Sequence, residues 1–174
     1  MKTLILYGSQ YGTTKRYADE LSRLTGLPAL SYEKAVDLAG CEQIVYLGGL
    51  YAGGVKGLKQ AVKKFPAGVR LILVTVGLAD VQDEQNIENI RRSVCRQLPA
   101  GLLQNTVLFH LRGGIDYSKL SLPHRTMMTL LYNHARKLPP EQQSAETKAM
   151  IETFGRQVDF VDFASLGPVA AAIE

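Results

Sequence analysis

The chain has 174 residues, 46% of them hydrophobic and 21% charged, with 20 Lys and Arg against 16 Asp and Glu and a formal net charge of +4. Composition and length exclude a disordered or repetitive chain and indicate one domain with a substantial core. No apolar run reaches the roughly 20 residues of a membrane-crossing helix, no signal-peptide pattern opens the chain, and Cys41 and Cys95 match no metal or redox spacing, so a cytoplasmic protein with two reduced thiols is expected.

Thr3 to Tyr7 is a short apolar run with the length of a buried parallel strand. Gly8 breaks it, Ser9 to Thr14 form a hydroxyl-rich turn, and Tyr17, Ala18, Leu21 and Leu24 then fall on one helical face. Leu27–Tyr32 reads as a second strand, restricted to an edge by Pro28, and residues 33–42 as a polar connection. Gln43–Leu47 is a third strand ending in Gly48 and Gly49. A helix carrying Val55, Leu58, Val62 and Phe65 follows and stops at Pro66 and Gly68. Val69–Val76 is the most hydrophobic strand and is expected at the centre of the sheet. Asp80 or Asp83 caps the next helix, with its stripe Ile87, Ile90, Val94 and Leu98; Pro99–Asn105 reads as a loop and Thr106–Leu111 as a fifth strand.

Strands alternating with helices predict right-handed crossovers and a parallel α/β sheet, and five strands with an edge-like second one fit the order 2-1-3-4-5. In such a sheet ligands lie beyond the carboxyl ends of the strands. Three of those ends are loops of glycine and small residues: Gly8–Thr14, Gly48–Gly54 and Gly77–Asp80. A strand, a hydroxyl turn and a helix start direct backbone N–H groups and a helix dipole at one point, an arrangement suited to phosphate. A P-loop is excluded, because only three residues separate Gly8 from Gly12 and two threonines precede Lys15; the dinucleotide pattern Gly-x-Gly-x-x-Gly is absent from this turn.

After the fifth strand comes a segment of about thirty residues, placed at about 113–143. It begins Gly113-Gly114-Ile115-Asp116-Tyr117 and continues with a helical pattern of Met127, Leu130, Leu131, His134 and Leu138 on one face. From His110 to Lys137 there are five Lys or Arg, all three histidines and one acid. The histidines are irregularly spaced with no Cys or Glu near them, which excludes a metal site. The absence of a basic–aromatic ladder speaks against nucleic-acid binding.

The turn Ser9-Gln10-Tyr11-Gly12-Thr13-Thr14 resembles the Thr/Ser-x-Thr-Gly-x-Thr signature with which flavodoxins hold the phosphate of flavin mononucleotide (FMN), with Tyr11 replacing the middle threonine. The resemblance implies a single flavodoxin-like domain over residues 1–174, a three-layer sandwich with a helical insertion after the fifth strand. It implies FMN as cofactor, bound at its phosphate by Ser9, Gln10, Tyr11, Gly12, Thr13 and Thr14. Beside the ring it places Leu50, Tyr51, Ala52 and Gly53 from the second loop and Gly77, Leu78 and Ala79 from the third. The Gly-Gly-x-Asp-Tyr segment, the Arg125-Thr126-Met127-Met128 run and the basic charge look like the menaquinone-dependent protoporphyrinogen oxidase family. That likeness implies an oxidoreductase of porphyrin biosynthesis that acts on a tetrapyrrole with a quinone as acceptor, at the inner face of a membrane. Arg112 and Arg125 would then meet the substrate's carboxylates. Two other readings stand beside it: an electron-transfer carrier that docks on a redox protein partner, and a non-enzymatic flavin- or phosphate-binding module. The oligomeric state is not encoded in any feature found.

Overall fold

The computed structural model describes residues 1–35, 37–51 and 53–173. The first strand, β1 (Thr3–Gly8), leads into α1 (Thr13–Thr25) and a three-residue β2 (Ala29–Ser31). Then come β3 (Gln43–Tyr51), β4 (Gly54–Val55), α2 (Leu58–Val62), β5 (Arg70–Gly77), α3 (Glu84–Cys95) and a single turn, α4 (Ala100–Leu103). The chain continues through β6 (Thr106–Arg112), β7 (Gly114–Asp116), α5 (Leu122–Ala135), α6 (Ala145–Thr153), β8 (Gln157–Asp159) and α7 (Gly167–Ala171).

The main sheet has the order β2-β1-β3-β5-β6, with every one of these neighbours parallel. Counting parallel strands alone, this is the expected order 2-1-3-4-5, and the fold is the flavodoxin-like α/β sandwich. Period-two alternation along buried strands sends successive side chains to opposite faces. Leu6, Ile44, Tyr46, Leu71 and Leu73 join Leu58, Ala61, Ile90, Val94, Ala145 and Ala149 from α2, α3 and α6 on one side. Ile5, Val45, Leu47, Ile72 and Val74 join Tyr17, Ala18 and Leu21 of α1 and Val169 of α7 on the other. Both faces are covered, which is why these strands read as continuous apolar runs rather than alternating ones.

Several local expectations change. The third strand runs on to Tyr51 and turns back, pairing Leu50 with Val55 and Tyr51 with Gly54, so Val55 lies in a strand and not on a helix. Leu24, expected on the buried face of α1, is 49% exposed. Asp83 is the residue that caps α3, accepting from the N–H groups of Gln85 and Asn86. The final helix is preceded by Leu166, and Asp162 caps the 3-10 turn before it by accepting from Ala164 N–H.

The segment after β6 lies over the carboxyl ends of the strands and is called the roof below. β7 pairs antiparallel with β8 across about forty residues of sequence, making a two-stranded sheet of its own. Between them α5 and α6 pack on a third apolar cluster, built from Ile115, Tyr117 and Met128 with Leu131, Met150 and Phe154. The buried face of α5 is shifted from the expected one: Met128 and Ala135 are buried and the expected Met127 and Leu131 pack beside them, while Leu130 is 65% exposed. A 3.6-residue period marks which residues share a face, and a one-residue error in phase rotates that face by about 100°. Helix α6 has no counterpart among the elements read from the sequence. Its start is fixed by Ser144, whose hydroxyl accepts from Thr147 N–H.

Candidate functional site

The three expected loops do converge. They enclose one side of a cavity of about 360 Å³, and the roof encloses the other. Of the residues expected to bind a cofactor, Ser9, Gln10, Tyr11, Thr13, Thr14, Leu50, Tyr51, Gly53, Gly77 and Leu78 line it. Gly12 and Ala79 are neighbours of lining residues, and Ala52 lies outside the described residues.

At the first loop, Gly12 takes the left-handed conformation (φ 90°) that lets the turn enter α1. Its N–H donates to the Ser9 hydroxyl at 3.0 Å. No side chain caps α1, and no acid sits in its first turn, so the N–H groups of that turn are left for an outside acceptor. With the positive end of the helix dipole at the same place, this is a seat for an anion. Tyr11 sits above it, edge-on to Tyr51 with ring centroids 6.2 Å apart. Burial, helped by the neighbouring Tyr51 and Tyr117 hydroxyls, pushes the Tyr11 phenol up to about 12. Its oxygen is buried without a hydrogen-bond partner, a polar demand that a ligand oxygen or amide would meet.

The second loop is the β3–β4 hairpin, with Gly53 at φ 78° at its tip. Tyr51 is aimed at the roof: its hydroxyl contacts the Met127 sulfur at 2.8 Å. In the third loop, the Glu146 carboxylate of α6 accepts from Leu78 N–H at 2.6 Å and Ala79 N–H at 3.2 Å. Only a glycine at position 77 permits that approach, since a β-carbon there would stand 2.6 Å from Glu146 Oε2 and 2.8 Å from Leu50 Cδ1. Burial raises the pKa of Glu146, while the two N–H bonds and, more weakly, Arg112 oppose the rise.

The two arginines expected to meet a substrate are placed otherwise. Arg112 Nε donates to the Leu78 carbonyl at 3.0 Å, and its guanidinium lies 3.7 Å from the centroid of the Phe160 ring. Arg125 donates to the carbonyls of Tyr117 and Ser118 at 3.2 and 3.0 Å. Neither lines the cavity, and no Lys or Arg does so among the described residues. Nor do the described residues include a cluster of His, Cys, Asp or Glu able to hold a metal ion. No helix of the described residues is long and apolar enough to cross a membrane.

Sequence reasoning passed over Glu146 and the pairing of Gln10 with His124. Gln10 Nε2 and His124 Nε2 are 2.8 Å apart, and Ser121 Oγ is 2.9 Å from His124 Nδ1. A chain in which the amide donates to Nε2 and Nδ1–H donates to the serine satisfies all three groups. Ser144, followed by Ala145, Ala149 and Thr153 at four-residue spacing, was the available sign of a buried helix that would carry Glu146.

No curated protein matches the chain. Among solved structures it is similar to two mutants of flavodoxin from Pseudomonas aeruginosa, in which one cysteine is replaced by alanine or by serine. Each is 24% identical with a TM-score of 0.39, over 78% of this chain and 97% of that one. The family profile described as a flavodoxin domain matches residues 4–141, from β1 into the roof. That match takes in more than half of the chain, which therefore belongs to the flavodoxin domain family.

Proposed function

We propose that the cavity binds FMN and that the protein is a flavin-dependent electron-transfer protein. One observation carries the reading: the uncapped N-terminus of α1 and the Ser9–Thr14 turn form an anion seat at one end of a cavity that is otherwise apolar and aromatic. In its favour also are the family match and the orphaned Tyr11 hydroxyl. The residues fit the group. Ser9, Gln10, Thr13, Thr14 and the first N–H groups of α1 would hold the phosphate without a cation. Leu50, Tyr51 and Leu78 would flank the ring, and Gly77, Leu78 and Ala79 would border its polar edge. Bound there, the flavin supplies one- and two-electron chemistry, and the protein contributes orientation and electrostatics. Tyr11 places a hydroxyl in the site and excludes water, and Leu50 and Leu78 lower its polarity.

The electron-carrier reading fits the cavity better than oxidation of protoporphyrinogen, because a substrate with two carboxylates finds no lysine or arginine among the described residues of the wall. The observation that keeps a substrate of some kind in play is the roof, which a carrier does not need in order to hold flavin. Titrating the purified protein with FMN and with riboflavin, followed by flavin fluorescence, tests the proposal. Tight FMN binding with riboflavin roughly tenfold or more weaker is expected, and a protein that binds neither overturns it.

A further inference from the structure

The cavity is longer than its three loops. Beyond them its wall continues over Ile90 of α3, Met128 and Leu131 of α5, Leu138, and Ala145 and Met150 of α6. We infer that this end, between α3, α5 and α6, is a binding site for a second ligand, an uncharged and mainly apolar small molecule seated beside the flavin. The inference rests on the FMN reading of the loop end.

Charge decides the ligand class. A buried anion needs a cation or several donors, and a buried cation needs a free carboxylate. No lysine or arginine lines the cavity among the described residues, and Arg112 and Arg125 are committed elsewhere, to the Leu78 carbonyl and to the carbonyls of Tyr117 and Ser118. Glu146, the one carboxylate on the wall among the described residues, already accepts two backbone N–H bonds. What remains at this end is aliphatic and thioether surface, with the uncharged or weakly basic Asn89, Ser93, His134, Ser144 and Thr147 as its hydrogen-bonding groups. Such a wall gains free energy from apolar area and orients its ligand by one or two hydrogen bonds. Met128 and Met150, unbranched and polarizable, adapt to flat or irregular shapes. The loop end and the roof end therefore differ in kind: one is suited to a phosphate and the other to a molecule without charge.

The two ends can be titrated separately. N-phenyl-1-naphthylamine is neutral and 1-anilinonaphthalene-8-sulfonate is a similar anion; both brighten in apolar sites. On FMN-loaded protein, the neutral probe should bind at one site per chain, and the sulfonate at least about tenfold more weakly. Leu131→Trp, which fills the compartment without burying a charge, should weaken the neutral probe about tenfold, and Met150→Trp should do the same from the other helix. Circular dichroism melts of both variants confirm folding. The inference is overturned if FMN displaces the neutral probe, since the compartment then houses the flavin ring itself. It is also overturned if the sulfonate binds as well as the neutral probe, or if both tryptophan variants fold and bind it unchanged. Should the protein bind no FMN, the functional reading fails on its own. Loss of the neutral probe in the tryptophan variants would then still support an apolar compartment, and its retention would remove it.

Discussion

The sheet and the roof enclose the same cavity, yet they are held by different forces. The sheet is an apolar solid: Ile5, Leu6, Ile44, Val45, Leu71, Ile72, Leu73 and Val74 are all fully buried. The roof has three buried apolar residues at its centre, Ile115, Tyr117 and Met128. Among the described residues, only the small Ala145 and Ala149 of α6 join the sheet's core directly, and the other fastenings include polar ties, from Glu146 to the Leu78 and Ala79 amides, from His124 to Gln10, and from Arg16 to Asp159. Hydrophobic stabilisation grows with buried area, whereas a polar tie contributes about 1 kcal/mol net. The roof is therefore the part expected to open locally while the sheet stays folded, which suits a cavity that a ligand must enter.

Truncating each region at its centre gives the largest expected contrast. Leu73→Ala removes a fully buried side chain from the middle of β5 and should cost about 2–5 kcal/mol in urea unfolding. Leu131→Ala, at the partly buried edge of the roof cluster, should cost about 1 kcal/mol or less. Equal losses at the two positions would show that the roof is as much a part of the core as the sheet is.

The regions should also respond to pH with opposite signs. His110 on β6 is 2.7 Å from Thr75 Oγ1 through Nδ1, and burial, with a contribution from Arg91, pushes its pKa down to about 4. A base whose pKa is depressed by folding is protonated more easily when unfolded, so stability falls as pH drops from about 6.5 to about 4. On the order of 2–3 kcal/mol should be lost across that window, and His110→Gln should flatten it. Glu146 carries the opposite sign. Its folded pKa is raised, so its contribution is full below the ordinary carboxylate value near 4.5 and declines as pH rises through the raised value. Glu146→Gln should remove that decline, and Glu146→Ala, which leaves two amides unpaired, should cost about 1–3 kcal/mol at any pH. Denaturant curves at half-unit pH steps would show both limbs; a Glu146→Gln protein with the wild-type limb would disconnect the carboxylate from roof closure.

The same division explains what could be read from the sequence. Strands buried on both faces must be apolar at nearly every position, so β1, β3 and β5 stand out, and their order follows from the crossover rules. The Ser9–Thr14 turn was legible because glycine and hydroxyl residues follow a strand and precede a helix. The roof was not, because its pieces are short and their partners distant. Gly114–Asp116 has no strand signal until Gln157–Asp159 lies beside it, and Glu146 looks like an ordinary surface acid at the start of a helix. The carbonyl contacts of Arg112 and Arg125 were not legible for a related reason: an arginine facing a backbone carbonyl and one facing a ligand have the same spelling.

At the loop end, Ser9→Ala removes the hydroxyl that holds Gly12 N–H and fixes the turn. The loss of one hydrogen bond of this kind is about 1 kcal/mol, so FMN affinity should fall roughly fivefold to tenfold while riboflavin affinity stays as it was. Equal losses for both ligands would place the turn away from the phosphate and return the two ends of the cavity to a single apolar site.

The smallest effect should come from the tie that joins the roof to the sheet's own helix. Arg16 on α1 meets Asp159 on β8 at 3.0 Å, with both side chains about half exposed. Solvent screens such a pair, and its contribution is at most about 1 kcal/mol. Arg16→Ala should therefore leave global unfolding nearly unchanged. Its consequence should be local: exchange of the Ile115 and Val158 amides, which face each other in the β7–β8 pair, should quicken, by about fivefold at most, with no change at Leu73. Raising the salt concentration in the wild-type protein should reproduce part of that acceleration, because the tie is electrostatic and the sheet is not. If the Leu73 amide accelerated as well, the roof and the sheet would be one cooperative unit, and opening the cavity would require the strands to part.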